Sequence, residues 1–192
     1  MTPAKTARER VLEVAEDLFY REGVRAVGID TIIARSGVAK MSLYRNFASK
    51  DDLIVAYLEE RDRRFFAWWD RAVGPEDEEP CIRLRGVVEA TVEKVRRPGY
   101  RGCAFLNTSA EFPDAAHPAR GVIAAHRREV RERLLAICRR WNPRLPEALA
   151  TQLIILMDGI YASAGALTDA EAAAIIDAAD ALIEAARARP GR

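Results

Sequence analysis

Residues 28–53 read Gly-Ile-Asp-Thr-Ile-Ile-Ala-Arg-Ser-Gly-Val-Ala-Lys-Met-Ser-Leu-Tyr-Arg-Asn-Phe-Ala-Ser-Lys-Asp-Asp-Leu. Ile29, Ile32 and Ile33 carry the 3-4 spacing of a short amphipathic helix. Gly37 follows, the residue most easily placed at positive φ, and it predicts a sharp end to that helix. A second short helix comes next, in which Val38, Leu43 and Phe47 face inward. Lys40, Met41, Ser42, Tyr44 and Arg45 are then left outside, a basic and hydroxyl-bearing surface that opens at the helix N-terminus. Two short helices about a glycine turn describe a helix-turn-helix, whose second helix enters the major groove of DNA. A helical hairpin with a merely solvated face shares this local pattern, so the neighbouring sequence has to decide between them.

Upstream, Thr6 and Glu9 make a capping-box pattern for a first helix running from about Thr6 to Glu22. Val11, Leu12, Ala15, Leu18 and Phe19 share one face of it, the natural third wall of a helix-turn-helix, and Gly23 stops it. Downstream, Ser49 caps a long fourth helix, with Asp52 at the box position and Asp51 near the positive helix end. Leu53, Ile54, Tyr57, Leu58, Arg61, Phe65 and Trp68 or Trp69 continue at helical spacing to about Val73. That helix is long enough to link the N-terminal head to the rest of the chain.

The run from Gly37 to Leu53 resembles the DNA-binding signature of the tetracycline-repressor (TetR) family. There a Gly-Val turn leads to a small hydroxyl residue, then Leu-Tyr, an aromatic-closed helix end, and Ser-Lys opening the next helix. The resemblance is strong over about residues 6–58 and extends to the remainder in architecture. Two positions depart from it: the family often has Ser where Ala39 stands and Thr where Gly28 stands, so a hydroxyl contact is lost at each. A later segment, Arg101-Gly-Cys-Ala-Phe-Leu-Asn with Glu111, Phe112, Pro113, Asp114, His117 and Pro118, resembles one that recurs in a branch of the same family. No residue role is carried over with that segment.

Composition sets bounds on everything else. The chain has 192 residues, 49% of them apolar and 31% charged, an ordinary balance with enough material for a core. The net charge of +1 argues nothing about nucleic acid, but its distribution does. Residues 1–50 hold nine Lys/Arg against six Asp/Glu, and the rest hold 21 against 23, so the excess sits where phosphates would be met. The N-terminus carries no long apolar run, which predicts no signal peptide, no membrane span and a cytoplasmic protein. Cys81, Cys103 and Cys138 lack CxxC spacing and fit a reducing compartment rather than a disulfide framework.

Beyond the fourth helix the pattern stays helical. Gly74-Pro-Glu-Asp-Glu-Glu-Pro80 is a surface break, followed by helices over about Cys81–Arg96, Gly102–Glu111 and Pro118–Trp141, and two more over about 147–165 and 169–188. The fold class is all-α, about nine helices in total, with a helix-turn-helix DNA-binding head over 1–48 and a helical ligand-binding and dimerisation body over 49–192. Residues 149–167 are apolar nearly all round, so more than one face has to be buried. Gly159, Ala162, Ser163, Ala164 and Gly165 permit close helix approach, and Ile175, Ile176, Leu182 and Ile183 give the last helix a matching stripe. A four-helix interface about a two-fold axis is expected, as the resemblance also implies. Asp158, the lone charge in that run, needs a partner: a hydrogen bond to a neighbouring helix, or a polar group of a ligand.

The functional expectation is a DNA-binding transcriptional regulator that is not an enzyme, because no acid–base or nucleophile constellation is visible and only two His, His117 and His126, exist. The resemblance implies a homodimeric repressor released from a palindromic double-stranded DNA operator by a small-molecule effector, without membrane, cofactor or metal. Lys40, Ser42 and Arg45, flanked by Met41, are expected at base edges, and Tyr44, Asn46 and Lys50 at phosphates, Lys50 also lying at a helix N-terminus. The effector is expected to be largely apolar, against Phe65, Trp68, Trp69, Phe105, Asn107, Glu111, His126, Met157 and Tyr161, with Phe66, Phe112 and Trp141 also available. Cys103, Asn107 and Glu111 recur at i, i+4 and i+8 as a polar stripe. Rival readings are a redox- or metal-responsive regulator using Cys103, and a DNA-binding protein without an inducer.

Overall fold

A computed structural model describes residues 4–163 and 167–188. Among the described residues it is all-helical, with nine helices: α1 Ala7–Glu22, α2 Ile29–Ser36, α3 Lys40–Asn46, α4 Lys50–Val73, α5 Pro80–Val95, α6 Ala104–Glu111, α7 Pro118–Trp141, α8 Pro146–Ala162 and α9 Asp169–Ala188. The all-α expectation holds. Each expected helix is present, with ends shifted by at most three residues where the chain frays into turns. Ala164 and Gly165, expected in the small-residue seam, lie outside the described residues.

The chain divides into two compact units, one of Met1–Arg63 with Ala104–Ala125, the other of Arg64–Cys103 with His126–Arg192. In the first, α1 packs on α2 and α3. Thr6 caps α1 as its sequence predicts: its Oγ1 accepts from the Glu9 N–H at 3.2 Å while Glu9 Oε2 accepts from the Thr6 N–H at 2.8 Å. The hydrogen bond from the Thr6 backbone holds the Glu9 carboxyl below its ordinary value. Ser49 and Asp52 repeat the device at α4, with 3.0 and 3.1 Å bonds. The apolar stripe of α1 meets Ile32, Leu43, Leu53 and Tyr57 in a core where Val11, Ala15, Leu43 and Leu53 are wholly buried. Phe19 and Tyr57 close it edge to face at 5.6 Å.

In the second unit α5 packs on α8 and α9, and α8 on α9. Its core is aliphatic: Leu84, Val87, Val88, Leu134, Leu149 and Leu153 are completely buried. A third capping box, Thr168 with Glu171, starts α9, its bonds measuring 2.8 and 3.3 Å. Its Thr-x-x-Glu spacing is the same signature that opens α1. Asp158 finds its partner in Arg127 of α7, at 2.9 Å, so the structural alternative for that carboxylate is realised. Among the described residues one face of α8 is exposed, with Gln152, Ile155, Gly159 and Ala162 on it, Ile155 by 66%. No helix among the described residues is long and apolar enough to cross a membrane.

Candidate functional site

The turn between α2 and α3 is made by Gly37 at φ 62° and ψ 25°, and its N–H donates to the Ile33 carbonyl at 3.1 Å. A residue in this left-handed conformation closes α2 and reverses the chain within a few residues. α3 has only seven residues, and Leu43 is its single buried side chain. Val38 and Phe47, just outside either end, are each 3% exposed and pin α3 against α1 and α2. With three anchors facing in, the other side chains have nowhere to go but out. Lys40, Met41, Tyr44, Arg45 and Asn46 are exposed, and Ser42 is half-buried.

The exposure of Met41, 73%, is high for a large apolar residue on a packed helix, and Tyr44 at 42% stands beside it. Such a pair suits contact with thymine methyls and sugar edges, while Lys40 and Arg45 supply the charge that base edges and phosphates need. The Lys40 ammonium lies 3.3 Å from Asp30 Oδ1, an exposed pair that a phosphate competes with easily. The Asn46 side-chain amide donates to the Ser42 carbonyl at 2.7 Å, which orients it at the C-terminal end of the helix. Six of the seven expected DNA contacts therefore lie on one short helix. Lys50 stands apart: its ammonium donates to the Arg25 carbonyl at 3.4 Å and lies 6.0 Å from the Phe19 ring centre. Burial lowers its pKa, against the opposing pull of Glu111 and Asp51.

The nine expected effector contacts fall into two groups. Phe65, Trp68, Trp69, His126, Met157 and Tyr161 belong to the second unit, whereas Phe105, Asn107 and Glu111 belong to the first. Within the second unit an aromatic cluster forms on the last turns of α4. The Phe65 ring lies 5.3 Å from Trp68, 5.9 Å from Trp69 and 4.6 Å from His126, the last edge to face. The Lys94 ammonium sits 3.9 Å over Trp68 and 5.0 Å over Phe65, a cation–π contact from α5. On α8, Met157 and Tyr161 are one turn apart and buried. The Tyr161 hydroxyl is buried beside the Thr91 hydroxyl, and burial pushes the phenol far above its usual range. Thr91, its polar neighbour, already donates to the Val87 carbonyl at 2.7 Å. Trp141 is otherwise engaged, its indole N–H donating to the Ile183 carbonyl at 3.0 Å.

A cavity of about 610 Å³ opens in the same unit, walled by Trp69, Val73 and Ile137 and edged by Arg83, Arg133 and Arg140. Of the expected contacts only Trp69 lines it. The three arginines were missed because nothing local distinguishes them from a solvated helix face. Arg133 is matched by Asp70 at 2.6 Å and Glu129 at 2.7 Å. No disulfide joins the three cysteines, and burial pushes the Cys138 thiol up to about 12. No three His, Cys, Asp or Glu side chains among the described residues converge in a way that could hold a metal ion.

In the first unit the end of α6 is tied to the turn that follows α1. The Glu111 carboxylate accepts from the Val24 N–H at 3.1 Å and from the Arg25 N–H at 2.7 Å. Phe112 stacks on His117 at 4.0 Å, and His117 Nδ1 accepts from the Ala119 N–H at 3.2 Å. His117 Nε2 then points to Asp51 in the first turn of α4, 3.4 Å away.

A short recognition helix held by a glycine turn, with an all-helical remainder, defines a helix-turn-helix regulator. The description of bacterial regulatory proteins of the tetR family matches residues 11–57, and that of the tetracyclin repressor-like C-terminal domain matches 80–179. A TetR-family transcriptional regulator from Streptomyces coelicolor is 34% identical, superposes with a TM-score of 0.87, and covers 94% of this chain and 96% of its own. A TetR-type regulator from Streptomyces avermitilis is also 34% identical, with a TM-score of 0.84 and coverage of 95% and 98%. The HTH-type transcriptional activator FasR of Mycolicibacterium smegmatis is 32% identical over 116 residues, which is 59% of this chain and 52% of the activator. This chain thus spans about half the length of that curated relative. The chain belongs to the TetR family of DNA-binding transcriptional regulators.

Proposed function

We propose that the protein is a cytoplasmic, homodimeric repressor that leaves a palindromic operator when a small, largely apolar molecule binds its body. The observation that carries this reading is α4. It is one uninterrupted helix of 24 residues, about 36 Å at 1.5 Å per residue, whose capped first turn belongs to the helix-turn-helix unit and whose last turns carry Phe65, Phe66, Trp68 and Trp69. A ligand that repacks the aromatic cluster acts on the same helix whose first turn lies in the helix-turn-helix unit. The buried hydroxyls of Tyr161 and Thr91 supply a polar handle, so the effector carries one hydrogen-bonding group on an otherwise apolar frame. The exposed α8 face, with Ile155 outward and Gly159 open, is the surface proposed to pair two copies. Two copies about a two-fold axis place two α3 helices for two half-sites, which is why the operator is expected to be a palindrome.

Release of the operator by a factor of ten requires the effector to prefer the released state by about 1.4 kcal/mol. The test starts from compounds that release a fluorescent duplex selected by the protein from random sequence. In a Trp141→Phe background, a genuine effector shifts Trp68 and Trp69 emission over the same concentrations that release DNA. Trp68→Ala alters that response while preserving DNA binding without effector. Wild-type release by a proven effector in both Trp68→Ala and Trp69→Ala would remove this cluster from the sensor.

A further inference from the structure

We propose that Glu111 is a positioning residue of the DNA-binding head, setting the angle at which the helix-turn-helix leaves α1, rather than a contact for the effector. Both carboxylate oxygens are occupied by main-chain donors, Oε1 by Val24 and Oε2 by Arg25, and the Glu111 carbonyl accepts from the Arg25 guanidinium at 3.4 Å. These two N–H groups belong to the turn between α1 and α2, just beyond Gly23, whose own N–H closes α1 on the Phe19 carbonyl. The carboxylate therefore does for this turn what a capping side chain does for a helix end, except that it arrives from a segment more than eighty residues away. Gly23 is fitted to it: a Cβ there would stand 3.2 Å from Glu111 Oε1, and its φ of 93° with ψ of 151° lies where side chains are rarely tolerated. From the other side, the Lys50 ammonium donates to the Arg25 carbonyl and adds charge complementary to Glu111.

The placement of Glu111 within its own helix points the same way. It is the last residue of α6, where a carboxylate faces the negative end of the helix dipole. The cost to its own helix is offset by the two main-chain bonds it makes in the turn after α1. Here it fixes the backbone from which α2, and then the Gly37 turn and α3, are hung.

The experiment uses the full chain and a 30-base-pair duplex selected by the wild-type protein from a random library, with no effector present. Glu111→Gln keeps the shape and one acceptor oxygen but turns an NH2 toward the second N–H. Glu111→Ala removes both acceptors. The expected result is operator affinity at least tenfold weaker for Gln and weaker still for Ala, in protein whose circular dichroism is unchanged. Tenfold corresponds to about 1.4 kcal/mol. The slope of affinity against salt stays as in the wild type, since no phosphate contact is lost. Amide exchange at Val24 and Arg25 accelerates, which a remote loss of stability would not single out. Wild-type affinity in folded Glu111→Gln overturns the proposal, as does an effect seen only when an effector is present.

Discussion

Two glycines that look alike in the sequence are expected to respond very differently to the same substitution. Gly37 and Gly23 both have positive φ, and each ends a helix of the head. At Gly37 the backbone is left-handed α, and a Cβ would find nothing within 4 Å. Gly37→Ala therefore carries only the conformational term, about 1–2 kcal/mol for an L-residue in that well. At Gly23 the backbone lies in the region that only glycine enters freely, a term of about 1–3 kcal/mol. The added methyl also presses the Glu111 carboxylate away from Val24 and Arg25, where each bond to a charged acceptor is worth about 1.5–3 kcal/mol. With one of those bonds lost, Gly23→Ala is expected to cost about 2.5–6 kcal/mol. Thermal unfolding followed by circular dichroism, at one protein concentration so that association does not move the midpoint, measures the difference. For a chain of this length each kcal/mol lowers Tm by about 2–4 °C, so Gly37→Ala loses a few degrees and Gly23→Ala about ten. Gly37→Asn, whose side chain tolerates the left-handed well, is expected to fall between wild type and alanine. Equal losses at the two sites, or a larger loss at Gly37, would refute the reasoning.

On α8, a Cβ added at Gly159 would find nothing within 4 Å, so a Gly159→Arg protomer is expected to fold and sediment as a monomer; an intact dimer would place the interface elsewhere. Alkaline pH probes the buried weak acids. Cys138 keeps its proton in the folded state up to about 12, whereas the unfolded chain gives it up near 9, and Tyr57 and Tyr161 are raised in the same direction. The folded state thus binds more protons above pH 9, so its stability falls as pH rises from there. A Tm that stays flat between pH 8 and 10.5 would contradict the burial of these groups.

The parts of this fold legible in the sequence are those encoded by neighbours. Thr6 with Glu9, Ser49 with Asp52, and Gly37 between two short apolar patterns each act across no more than four residues, and each appears where its spacing puts it. The outward set on α3 was equally readable, because three inward anchors on seven residues leave little choice. Glu111 was not legible. Its stripe with Cys103 and Asn107 marks a polar helix face, but its partners are main-chain N–H groups, which have no signature in side-chain chemistry. The grouping of residues 104–125 with the head is likewise a long-range outcome that no local pattern encodes. The arginines at the cavity were hidden for a related reason, since Arg133 and Arg140 read as ordinary surface positions until α4 and the turn after it are placed beside them.

α3 separates two duties within a handful of positions. Val38, Leu43 and Phe47 hold the helix in place, while Lys40, Met41, Tyr44 and Arg45 bear almost none of the packing. Replacements at such exposed positions typically change stability by no more than about 0.5 kcal/mol. A duplicated copy of the gene is therefore free to drift toward a new DNA sequence without first acquiring compensating mutations in its core. On the proposal that these four side chains read the operator, its targets diverge one substitution at a time through intermediates that all still fold.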